Sequence, residues 1–287
     1  MADADGPTGL LDLSVVAPAH NEQDNVAALA SQVYGALSGV RGLRFELVIV
    51  DDGSTDRTRQ AVAGLMRDRP WLRCICMAQT PPGRGSGQSA AFHAGVRAAR
   101  GRLVATMDAD LQNDPADLPA MLELMRTGGA DMVQGDRSHA RRDNLVRKLG
   151  SAVGRWARGL ILGDSVRDTG CSLRVMRREV ALALPLEFRG MHRFIPISAI
   201  RLGFRVVEMP VRHRPRVAGV TKYGFGIAQR AIPGLVDCFA VRWMASRRRP
   251  TAAGEVQAPP GTAQPDAPAV TYTEVKPLAA GTAGAHG

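Results

Sequence analysis

Asp108 and Asp110 stand two residues apart, with Gln112 at the same spacing beyond them, in the run Thr106-Met107-Asp108-Ala109-Asp110-Leu111-Gln112. The apolar Leu103-Val104-Ala105 just before them reads as a buried strand, so the acidic residues emerge where that strand ends. Two carboxylates and an amide oxygen are hard donors. Mg²⁺ wants such donors, and usually takes one or two carboxylates plus the phosphates of a substrate. The chemistry that fits is a metal-bound nucleoside diphosphate. The plainer reading is an acidic strand-to-helix loop, since Asn113-Asp114-Pro115 reads as a helix start. An Asp-x-Asp alone does not choose between the two.

Two further polar clusters follow apolar runs in the same way. His20-Asn21-Glu22 comes after Leu13 to Pro18, and Asp51-Asp52-Gly53-Ser54 comes after Phe45 to Val50. Together the three clusters suit recognition of ribose hydroxyls, a base edge and a diphosphate. Gly83-x-Gly85-x-Gly87 lacks the Gly-Lys-Ser/Thr of a phosphate loop and reads as a flexible loop. His20, His93, His139, His192 and His213 show no metal-ligand spacing and read as structural or loop residues. Asp168 reads as a brace for a loop or an arginine.

These clusters need strand ends to hold them. The sequence predicts strands at Leu13–Pro18, Phe45–Val50, Leu72–Met77, Leu103–Met107 and Ala130–Val133. Between them fall helical patterns: one capped by Asn21 and closed by Gly39, one capped by Asp56, then Ala90–Arg100 and Pro115–Met125. Strands alternating with helices predict an α/β fold with a largely parallel sheet. Ligands of such sheets bind beyond the carboxyl ends of the strands, where strand order reverses. Past residue 136 the pattern changes. Asn144 to Leu162 reads as a basic amphipathic helix, Asp168 to Met176 as a return to the sheet, and Phe204 to Arg212 as an edge strand marked by Pro210. Gly224 to Arg249 is a second basic amphipathic segment, ending in three arginines. Helices of this kind lie in a membrane interface or pack their apolar face on the sheet. From Pro250 the chain is rich in Ala, Gly, Pro and Thr and reads as disordered.

Charge is unevenly placed along the 287 residues. Residues 1–136 carry 12 Lys/Arg against 17 Asp/Glu, while residues 137–249 carry 24 against 7. That asymmetry points to an anionic partner: a membrane lipid, a nucleic acid or a phosphorylated substrate. Few aromatics and no recognisable binding module argue against nucleic acid. The four cysteines form no Cys-x-x-Cys pair and read as reduced thiols of a cytosolic compartment. No signal peptide is visible, and no uncharged apolar run is long enough to span a bilayer.

The ordered motifs Val16-Ala17-Pro18-Ala19-His20-Asn21-Glu22, Val50-Asp51-Asp52-Gly53-Ser54-Thr55-Asp56 and Met107-Asp108-Ala109-Asp110-Leu111-Gln112 resemble family 2 glycosyltransferases. With Gly87 to Gly95, Asp168 to Arg174 and Arg216 to Gly224, they resemble the polyprenyl-phosphate branch, the dolichol-phosphate mannosyltransferase group. The resemblance covers roughly residues 10–246. It implies a GT-A-type, Rossmann-like α/β fold with a mixed, mostly parallel sheet, flanking helices and C-terminal amphipathic interface helices. It implies a catalytic domain over 10–224, an interface helix over 225–249 and a tail over 250–287.

The implied activity is metal-dependent, inverting transfer of a sugar from a GDP- or UDP-activated donor to a polyprenyl phosphate. A sugar hydroxyl acceptor in polysaccharide or glycolipid synthesis is the alternative. Carried over by position, Pro18, Ala19, Glu22, Asp51 and Asp52 line the nucleoside pocket. Asp108 and Ala109 bind the donor, and Asp108, Asp110 and Gln112 hold Mg²⁺ or Mn²⁺. Arg137 lies near the transferred group and, with Arg147 and Ser151, meets the acceptor phosphate. Arg216 and Lys222 belong to a loop that closes on the diphosphate, and Asp110 and Arg137 carry catalysis. Many relatives have two C-terminal membrane spans. Their absence here implies peripheral binding at the cytoplasmic face of the cytoplasmic membrane, or a membrane-protein partner.

Overall fold

Seven strands form one sheet in the order β3-β2-β1-β4-β6-β5-β7. They are β1 (Leu11–Ala19), β2 (Phe45–Asp51), β3 (Leu72–Cys76), β4 (Gly101–Thr106), β5 (Met132–Asp136), β6 (Arg174–Arg177) and β7 (Val206–Pro210). This computed structural model describes residues 11–139, 154, 156, 158–163, 165–214 and 227–249. Arg147, Ser151, Arg216, Lys222, most of the predicted helix at 144–162 and the predicted tail lie outside the described residues.

β1 pairs in parallel with β2 and β4, and β2 with β3. Only β6 runs against its neighbours β4 and β5, while β7 pairs in parallel with β5 at the far edge. The chain therefore leaves β1 in two directions, to β2 on one side and β4 on the other. That makes the β1/β4 junction a switch point, where the carboxyl ends open a crevice.

The helices cover both faces. They are α1 (Val26–Leu37), α2 (Thr58–Met66), α3 (Gln88–Ala98), α4 (Leu118–Thr127), α5 (Arg178–Ala183), α6 (Ile195–Arg201) and α7 (Ile227–Arg247), with short 3₁₀ turns at Pro115–Asp117 and Met191–Arg193. Alternation along the central strands feeds two cores. Leu13, Val15, Leu47 and Ile49 pack with α1 and α4, whereas Val16, Val48, Val50 and Val104 pack with α3, α5 and α6. Each such side chain contributes about 1.5–3 kcal/mol when fully buried. A third, smaller core joins Leu162, Met191, Phe194 and Ile197 to Cys238 and Val241 of α7.

Two local expectations change. Asn21 does not cap α1, which begins at Val26. Instead Asn21 sits at φ 56, and its side-chain oxygen accepts from the backbone of Thr55 at 2.8 Å. The left-handed turn lets it pin the β1 loop to the β2 loop, and Asn tolerates that conformation better than most residues. The glycine loop is tied down as well. Asp52 accepts from the backbone of Ser86 at 2.7 Å and Gly87 at 2.8 Å, and Gly83 donates to Gly53 at 2.8 Å. None of the four cysteines is in a disulfide. No helix among the described residues is long and apolar enough to cross a membrane.

Candidate active site

The crevice is built from the ends of β1, β2 and β4, the N-terminus of α3 and the loop entering β6. Residues 107–112 leave β4 through a tight turn in which Leu111 takes φ 63 while its side chain stays buried. A bulky residue held in the left-handed region is strained, and strain of this kind gathers at functional sites. The turn lets Asp110 accept from the Gln112 backbone at 3.2 Å. Asp108 is half-buried and accepts from Gln88 Nε2, at the start of α3, at 2.5 Å. Burial pushes the Asp108 carboxyl upward, the charge of Asp110 pushes it further, and Ser172, Arg137 and Arg174 pull it back.

Two guanidiniums lie buried on the other side. Arg137 follows β5 and donates to Asp168 through Nε at 2.8 Å and Nη2 at 3.2 Å, while its backbone N–H reaches Asp168 at 3.1 Å. Burial works against the Arg137 charge, but the Asp168 bonds outweigh it and raise its pKa. Arg158 and Glu208 hold the loop that carries Asp168, through Thr169 and the Arg167 backbone.

Arg174 opens β6 opposite Thr106 of β4. Among the described residues it bonds only neutral acceptors: Gln134 Oε1 at 2.8 Å, Thr169 O at 3.0 Å and His192 O at 3.4 Å. Burial lowers its pKa to about 10, so it stays charged at neutral pH. Sequence reading assigned Arg174 no role. The signal was there: a charge interrupting the apolar Leu173-Arg174-Val175-Met176 run of a buried strand. His192 reads as structural from its spacing, and the resemblance alone puts His192-Arg193 near the acceptor; it also reaches this edge, through Ser89.

Of the residues predicted for the nucleoside, Ala19 and Asp51 end paired strands, and the Ala19 carbonyl accepts from Asp52 at 2.9 Å. Asp51 is fully buried and engaged by Arg59 at 2.7 Å and by the Ser54 backbone at 3.2 Å. Asp52 organises the glycine loop. Glu22 accepts from Asn25 at 2.6 Å. Pro18 is half-buried at the end of β1, and Ala109 is buried in the turn between the two aspartates. Pro18, Ala19, Asp51 and Asp52 thus lie at the carboxyl ends of β1 and β2, and Asp108, Ala109 and Asp110 in the turn after β4; Gly87 on Asp52 and Gln88 on Asp108 link the two groups, and Arg137 acts electrostatically on Asp108.

The donor set at Asp108 and Asp110 fits a hard divalent ion. The two carboxylates repel each other, which a cation would relieve. No group of three or more His, Cys, Asp or Glu side chains among the described residues makes a closed metal cage. Two carboxylates with open positions suit an ion that also takes phosphate oxygens.

The mixed, mostly parallel seven-stranded sheet with flanking helices is a GT-A-like fold. The sequence profile of glycosyl transferase family 2 matches residues 14–184, and the chain belongs to that family. It is 37% identical over 243 residues to a dodecaprenyl-phosphate galacturonate synthase of Rhizobium johnstonii, covering 83% of this chain and 70% of that protein. It is 36% identical over 229 residues to an undecaprenyl-phosphate 4-deoxy-4-formamido-L-arabinose transferase of Edwardsiella ictaluri, covering 79% and 67%. Among solved structures, glucosyl-3-phosphoglycerate synthase from Mycobacterium tuberculosis with phosphoglyceric acid aligns at TM-score 0.58 and 19% identity, over 79% of this chain and 80% of that one. The same enzyme with Mn²⁺, UDP and phosphoglyceric acid aligns at TM-score 0.56 and 21% identity, over 88% and 84%. These structural likenesses concern the fold.

Proposed function

We propose that this glycosyltransferase moves one sugar from a nucleoside-diphosphate donor to a polyprenyl monophosphate, with inversion, on the cytoplasmic face of the cytoplasmic membrane. The observation that carries the reading is the Asp108–Asp110 pair at the end of β4, faced by the buried guanidiniums of Arg137 and Arg174. Such a site joins oxygen donors for a cation to fixed positive charge for phosphates. The relatives named for dodecaprenyl and undecaprenyl phosphate support the acceptor class.

Pro18, Ala19, Glu22, Asp51 and Asp52 frame the nucleoside. Asp108, Asp110 and Gln112 would hold Mg²⁺ or Mn²⁺, which supplies positive charge to the departing diphosphate when bound. Asp108 and Ala109 set the position of the donor. Arg216 and Lys222 close on its diphosphate, an assignment that rests on the resemblance alone. Arg137 neutralises charge at the point of transfer, and Asp168 keeps it aimed there. Preorganised charge in a water-poor site stabilises a transition state more than the same charge in water.

The acceptor needs no general base. A phosphate monoester has a second pKa of about 6 and arrives as an anion. It needs cations to position it, which Arg137, Arg147 and Ser151 provide. A sugar hydroxyl would instead need a base within hydrogen-bond reach.

The test is transfer of label to a short-chain polyprenyl phosphate from a panel of radiolabelled GDP- and UDP-sugars, galacturonate and 4-deoxy-4-formamido-L-arabinose donors included, with Mg²⁺ or Mn²⁺. An acid-labile lipid made by the wild type, and lost in Asp110→Ala, supports the reading. Label appearing in polysaccharide with none in lipid overturns it.

A further inference from the structure

Ser89 and His192 stand 103 residues apart and meet at the carboxyl edge of the sheet. Ser89 Oγ accepts from the His192 backbone N–H at 3.0 Å and lies 2.8 Å from His192 Nδ1. Having accepted one proton, the hydroxyl still has its own to give, and Nδ1 is within reach. When the hydroxyl gives that proton to Nδ1, the ring proton sits on Nε2. Burial, with Arg193 and Arg174 beside it, lowers the imidazole pKa to about 3, so the ring is neutral at physiological pH.

Ser89 holds the ring at Nδ1, and the segment around it is anchored as well. Gln88, the residue before Ser89, bonds Asp108, and Arg174 bonds the His192 carbonyl. Met191 and Phe194, on either side of His192, are buried against Cys238 and Val241 of α7. His192 itself is only partly buried, and Nε2 neither has a partner among the described residues nor counts among the buried orphan atoms. The open edge of the ring is therefore the edge that carries the Nε2 proton.

We infer that His192 is a sugar-specificity residue, whose Nε2–H donates to an uncharged oxygen of the transferred sugar. Arg137 and Arg174 already supply charge for phosphates. A neutral donor adds direction without charge, which is what separates one arrangement of hydroxyls from another. Sites built to hydrogen-bond a substrate oxygen reject analogues that lack it far better than apolar pockets reject an extra group.

The inference rests on the proposed function, and the experiment separates the two. Wild type, His192→Gln and His192→Phe are compared with the active donor and its deoxy or epimeric analogues. The readouts are kcat/KM for the donor, KM for lipid phosphate, Kd for the free nucleoside diphosphate by calorimetry, and melting temperature. The expected result is a fall of about 10- to 100-fold in donor kcat/KM for the Phe variant, with weaker discrimination against the analogues. Gln, which keeps a neutral N–H, recovers most of it, while diphosphate Kd and lipid KM stay put. Unchanged donor kinetics in the Phe variant overturn the inference. So does an equal loss of diphosphate affinity, a change in lipid KM alone, or ¹⁵N-detected imidazole spectra placing the proton on Nδ1. If the wild type binds nucleotide sugars yet transfers none to lipid, the acceptor reading fails. The ratio of donor to diphosphate affinity then still decides the role of His192.

Discussion

Arg137 and Asp168 show what single residues contribute at this site. Both are buried, and their two-point contact fixes a guanidinium that would otherwise be costly to keep dry. Removing one partner of a buried pair typically costs 3–5 kcal/mol, because the other charge is left uncompensated. Asp168→Asn should therefore lower stability by roughly that amount in urea unfolding, whereas Glu123→Gln, at an exposed pair with Arg126, should change it little. His192 makes a second residue-scale prediction. Its folded pKa is about 3, below the unfolded value of 6.5. Between those values the unfolded chain binds a proton that the folded chain refuses, so stability falls as pH drops below 6.5. At pH 5 the loss is at most about 2 kcal/mol. Arg193 and Arg174 are the charged groups beside the ring. Melting temperature followed from pH 7 to 5 should slope downward in the wild type and flatten in His192→Gln.

At the scale of elements, α3 matters because its first turn brings Gln88 to Asp108 and Ser89 to His192. It lies close to the sheet because Gly95 faces β1 and β2. A Cβ there would meet Val16 Cγ1 at 2.2 Å and Val50 Cγ2 at 2.9 Å. Gly95→Ala should push α3 outward. The expected cost is about 1–3 kcal/mol in denaturation, as for other overpacked cores. Activity at saturating donor should also fall, although residue 95 lies away from the crevice. Most of the supporting framework was legible in the chain. The apolar runs gave β1 to β4, and the acidic clusters marked their ends, because local periodicity and turn chemistry act over a few residues. What was not legible depends on distant partners. The antiparallel insertion of β6 between β4 and β5 brings the charge of Arg174 within reach of Asp108, and no local pattern encodes that pairing. The helices α5 and α6 are six and seven residues long, too short to show a clear period. The Ser89–His192 contact joins segments 103 residues apart, so spacing could not reveal it.

At the scale of the whole molecule, the predicted membrane face depends on what α7 leaves uncovered. Its Cys238 and Val241 are buried, while Leu235, Val236, Phe239 and Trp243 are exposed. Trp156 and Leu160, in the preceding helical stretch, are about 70% exposed. Arg247, Arg248 and Arg249 close the segment. Aromatic and aliphatic side chains beside clustered arginines suit an anionic bilayer surface, where each basic residue adds about 1 kcal/mol. The same helix covers Met191 and Phe194, so the face that would meet lipid is built on the segment that carries His192. The protein should therefore sediment with vesicles containing phosphatidylglycerol, bind neutral phosphatidylcholine vesicles far less, and release as salt shortens the screening length. The double variant Phe239→Ser, Trp243→Ser should remain in the supernatant. Its melting temperature should match the wild type, because both side chains already face solvent. It should keep nucleotide-sugar affinity and lose transfer to long-chain lipid more than to a short-chain acceptor dissolved in detergent. Equal loss with both acceptors would place these residues in the catalytic machinery instead of at the bilayer.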